Sequence, residues 1–61
     1  MENQEKNLVI EFVGENNPHM DLTKGKRYNV LTVDRHGWYR IMDDSGEDYM
    51  YPPEMFTVVI Q

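Results

Sequence analysis

Turn-forming clusters interrupt this chain about every ten residues, a spacing that leaves no room for a helix of ordinary length. The breaks are Gly14-Glu15-Asn16-Asn17-Pro18, Lys24-Gly25-Lys26, Asp34-Arg35-His36-Gly37, Asp43-Asp44-Ser45-Gly46 and Pro52-Pro53. Between them lie short runs rich in β-branched and aromatic residues, which favour a pleated, half-buried surface. Residues 8–13, 27–33, 38–42, 47–51 and 56–60 read as strands. Met20 and Leu22 alternate with Asp21 and Thr23 in a further period of two. Pro53-Glu54-Met55 fits a single helical turn. Five short strands without helical periodicity predict an all-β fold, a small antiparallel barrel.

The core of such a domain has to form without staples. The 61 residues include no Cys, so disulfides and thiolate metal sites are excluded. His19 and His36 are too far apart in the chain to form a ligand-spaced pair, and no metal or other cofactor is expected. Residues 1–7 are polar and read as a flexible tail, leaving 8–61 as one domain. Met20, Val30, Ile41, Tyr51 and Phe56 are expected to point inward, with Leu8, Leu22, Tyr28 and Val58 completing the core. Each buried apolar side chain contributes roughly 1.5–3 kcal/mol. Chain entropy of about 1–2 kcal/mol per residue offsets most of it.

Charge narrows the partners. Six Lys and Arg against 11 Asp and Glu give a net charge of −5. Nucleic acid and anionic membranes attract basic surfaces, so neither is an expected partner. An acidic chain suits a basic or neutral partner. The start is polar rather than basic and then apolar, so a cytoplasmic location is expected. The oxygen-rich run 43–48 lacks the ligand spacing of a calcium loop and reads as a tight turn. No nucleophile motif, phosphate loop or paired carboxylates can be placed, so no enzymatic activity is expected.

The order of these segments resembles the Src homology 3 (SH3) family across residues 8–60. Leu8-Val9-Ile10-Glu11-Phe12 takes the place of the family's Ala-Leu-Tyr-Asp-Tyr opening. Val13 to Asp21 matches its long polar loop, and Met20-Asp21-Leu22-Thr23-Lys24-Gly25-Lys26 its Leu-x-Phe-x-x-Gly-Asp/Glu stretch. Gly37-Trp38-Tyr39 stands for the Trp-Trp hallmark, and Tyr49 to Phe56 for the closing segment with its Pro. That family grips Pro-rich peptides on an exposed aromatic strip. Carried over, the resemblance implies a ligand groove of Ile10, Phe12, Trp38, Met50, Pro52 and Met55. Trp38 and Pro52 match the family unchanged, while the Tyr hydroxyls are replaced by apolar groups. Glu15 and Asp21 are the loop carboxylates placed to meet a basic ligand residue.

The expected function is therefore a non-catalytic module that binds a protein or peptide, basic or Pro-rich. Three other readings stay open at this point. One is a bacterial cell-wall-binding relative. Another is an acidic structural subunit with its Met-rich groove buried in an oligomer. The last is an acidic decoy that imitates nucleic acid. The chain is expected to be a monomer or a weak homo-oligomer.

Overall fold

The computed structural model describes residues 8–60. The expected tail, residues 1–7, and Gln61 lie outside the described residues. Five strands follow one another: β1 (Val9–Phe12), β2 (Arg27–Val33), β3 (Tyr39–Met42), β4 (Asp48–Tyr51) and β5 (Phe56–Ile60). A 3₁₀ turn, Pro53–Met55, links the last two. Each strand falls where the turn-bounded runs predicted it. Three begin later than expected: Leu8, Trp38 and Glu47 are not in their strands.

The strands form one antiparallel sheet in the order β4-β3-β2-β1-β5, with β4 and β5 as its ends. β2 is shared between two halves. Its first residues pair with β1 (Val9↔Asn29, Glu11↔Arg27) and its later ones with β3 (Val30↔Ile41, Val33↔Tyr39). The register shifts between Val30 and Thr32, an irregularity of the kind that bends a strand and raises its twist. β5 returns to lie beside β1, with Phe12↔Phe56 and Ile10↔Val58 opposite each other. The pairing is thus an open sheet.

One core lies on the concave side of this sheet. Ile10, Phe12, Leu22, Tyr28, Ile41 and Phe56 are buried, and Leu8, Met20, Val30, Tyr39, Tyr51 and Met55 pack around them. Phe56 is the aromatic centre. Its ring lies 5.7 Å from Phe12, 5.9 Å from Tyr39 and 6.3 Å from Tyr51, in the tilted and edge-on arrangements that ring quadrupoles favour. Phe56 belongs to one end of the sheet and Tyr51 to the other, so the sheet curls far enough for side chains of its two ends to meet.

Three expectations about burial need correction. Ile10 and Phe12 are 0% and 1% exposed, so they are core residues and line no groove. Glu11 between them takes the outer face, as the two-residue period of a strand requires. Val58, expected inside, is 42% exposed. It stands opposite Ile10, but β5 is a sheet end and, among the described residues, no strand flanks its far side.

Candidate functional site

Trp38 is positioned by a turn built on one aspartate. The Asp34 side chain accepts hydrogen bonds from the backbone N–H groups of His36 (2.8 Å) and Trp38 (2.9 Å). The Asp34 N–H donates to the Trp38 carbonyl, and the Gly37 N–H to the Asp34 carbonyl, both at 3.0 Å. Gly37 has φ of +85°, a conformation that only glycine adopts without strain. The N–H of Trp38 foremost, then burial opposing it and the N–H of His36 assisting, leave the Asp34 carboxyl below its ordinary pKa. Both backbone groups of Trp38 are thereby engaged in the turn, and its side chain is left 40% exposed.

Register places the next residues. β3 and β4 pair as Tyr39↔Tyr51, Arg40↔Met50, Ile41↔Tyr49 and Met42↔Asp48. Alternation puts Arg40 and Met50 on the outer face, opposite to buried Ile41, and Trp38 and Pro52 lie one residue beyond the Tyr39–Tyr51 end of this ladder. Met50 and Pro52 are half-buried. Met55 is set apart on the 3₁₀ turn. It packs against the core, and its carbonyl accepts the Val13 N–H at 3.0 Å. Of the six expected groove residues, Met50 is on this face, Trp38 and Pro52 adjoin its end, Met55 packs against the core, and Ile10 and Phe12 are inside.

The two acidic candidates part company. Glu15 is exposed and its carboxylate faces Lys24 at 3.2 Å across the long loop. Asp21 instead lines a crevice of about 370 Å³ with His19, Asp43, Tyr49, Met50 and Tyr51, alongside β4. The crevice is negative in character. Asp43 and Asp21 both push the Tyr51 hydroxyl up, after burial and the hydrogen bond to Asp43. The hydrogen bond to Glu47 comes first in raising Tyr49.

Asp43 and Asp44 were legible only as turn formers, and the structure gives each a longer reach. Asp43 is 5% exposed. Its carboxylate accepts from the Ser45 hydroxyl and N–H, and from the Tyr51 hydroxyl at 2.7 Å. Burial pushes its pKa up, but those donors outweigh burial and the carboxyl ends below its ordinary value. Asp44 accepts from the Lys26 ammonium (2.6 Å), the Thr23 hydroxyl (2.7 Å) and the Tyr28 hydroxyl (3.1 Å). Its N–H donates to the Asp21 carbonyl at 2.8 Å. The Lys26 contact is the largest cause that lowers the Asp44 pKa. The β3–β4 turn is therefore stitched to the far end of the long loop, and this fixes where Asp21 stands relative to β4.

A second depression, about 400 Å³, lies against Arg27, Asn29, Leu31 and Met42 and reaches Asp43, which lines both. Among the described residues, no three His, Asp or Glu side chains gather as a metal site would require. Nor is any described helix long and apolar enough to cross a membrane. No protein-family model, curated protein or solved structure matches this chain.

Proposed function

We propose that this domain is a non-catalytic module that holds a basic peptide segment against the outer face of β3 and β4. The observation that carries this reading is Trp38: an exposed indole on a turn whose backbone is fixed by Asp34, one residue before β3 and next to the end of the β3–β4 ladder. An aromatic side chain held in place loses little conformational entropy on binding, and such residues dominate interface energetics. The crevice alongside β4, lined by Met50, Asp21 and Asp43, supplies charge of the sign a Lys or Arg seeks. The strand order, the return of β5 onto β1 and the 3₁₀ turn before β5 support an SH3-like barrel as the frame. Two places where that family carries ligand tyrosines hold buried Ile10 and Phe12 here, so the surface is smaller than the family's strip and leans on charge. A cytoplasmic setting suits this reading.

Titrating the labelled protein with Lys- or Arg-containing peptides, with and without Pro, tests it. Shifts are expected at the Trp38 indole and at the amides of Asp21 and residues 49–51. Trp38→Ala should weaken binding at least tenfold, a loss of about 1.4 kcal/mol or more, with the spectrum otherwise dispersed. A peptide that binds Trp38→Ala as well as the unaltered protein would overturn the reading.

A further inference from the structure

The two ends of the sheet are guarded differently. A strand at a sheet edge presents unpaired N–H and C=O groups that can receive another strand, and proteins block this with charge or Pro. β4 has such blocks: Asp48 within it, Glu47 before it and Pro52-Pro53 after it. β5 reads Phe-Thr-Val-Val-Ile and has none. Among the described strands it is the one without a charged residue, since β1 carries Glu11, β2 Arg27 and β3 Arg40. Three of its residues are exposed: Thr57, and the apolar Val58 at 42% and Ile60 at 51%.

From this we infer that β5 pairs antiparallel with β5 of a second copy of this chain, around a twofold axis near Val58. Charge selects the occupant. A chain of net charge −5 repels its own copy, and like charges directly opposite across a ladder are destabilising. β5 is the strand that brings no charge to such a ladder, and it holds no carboxylate for a basic partner. An antiparallel pair of identical strands satisfies both edges with the same residues, as a twofold interface must. The register shift of β5 against β1 beside Val59 bends this edge and keeps the ladder short. The dimer is accordingly weak and concentration-dependent.

Sedimentation of the full chain from dilute solution to about 1 mM, the range in which association worth roughly 4–8 kcal/mol is read, tests this. The average mass is expected to rise toward that of a dimer, while the amides of Thr57 to Ile60 shift with concentration. Val58→Lys, at an exposed position, should keep a dispersed spectrum and move the association midpoint at least tenfold higher. Ile60→Lys repeats the test should Val58→Lys not fold. Met50→Lys, on the other sheet end, should associate as the unaltered protein does. A chain that stays monomeric throughout, or one whose association is abolished by Met50→Lys and untouched by the β5 variants, overturns the inference.

Discussion

Asp43 is a buried carboxylate satisfied, among the described residues, by neutral donors only, and this makes it sensitive to single-atom changes. Tyr51→Phe removes the hydroxyl that donates to it and leaves a buried oxygen short of a partner. A loss of about 1–3 kcal/mol is expected, read from the urea midpoint. Asp43→Asn should cost about as much, because its amide presents N–H to donors, and the double variant should lose less than the sum. The pH dependence follows from the direction of the shifts. Asp43 and Asp44 lie below 3.8 in the fold, so they favour the fold fully above 3.8 and lose that contribution as pH falls through their lower folded values. Tyr51 is shifted upward from 10.0, mainly by burial and then by Asp43, so its contribution is whole below pH 10 and fades above it. A melting temperature that falls below pH 4, and more weakly in Asp44→Ala, would bear this out. A flat acid limb would not. Ile10 and Phe12 hold a lesson at the same scale. Glu11 between them already marks their shared face as inward, and that alternation outranks a positional match to ligand-binding tyrosines.

The elements were legible because their boundaries are local. Gly and Asp in the turns, Pro after β4 and β-branched runs between them act over a few residues, and the five strands fell accordingly. What was hidden is non-local. Nothing in Asp44 as a turn residue announces Thr23, Lys26 and Tyr28 as partners some twenty residues away. Trp38 falls outside β3 because Asp34 claims its backbone, another contact that a strand pattern does not carry. Two expectations belong to this scale. Asp44→Ala should free the loop stem from the β3–β4 turn, with amides of residues 21–26 exchanging faster while those of β1 and β5 do not. Gly14→Ala should also be felt, since a Cβ there would lie 2.9 Å from the buried Phe12 ring. Overpacking of this kind costs typically 1–3 kcal/mol, and a thermal melt of the variant measures it.

For the whole molecule, the two modes of association respond oppositely to salt. A basic peptide held near Asp21 and Asp43 is bound through opposite charges, and added salt should weaken it. Two acidic copies meeting at β5 associate against like charge, and the same salt should strengthen their pairing. Measuring both from low to moderate ionic strength separates them in one protein. Peptide binding insensitive to salt would remove the acidic crevice from the reading. Self-association that weakens with salt would point to an interface containing opposite charges, which β5 lacks.

The pairing of β1 with β5 sets Val9 beside Ile60. Neighbours across a ladder are about 5 Å apart, little more than one residue's reach along a chain. The described sheet therefore begins and ends at nearly the same point in space. It can be spliced into a surface loop of another protein as a guest, with the host backbone leaving and rejoining at one place. By the same geometry a short linker from end to start, with a new opening cut at an exposed turn, would yield a rearranged chain order on an unchanged sheet.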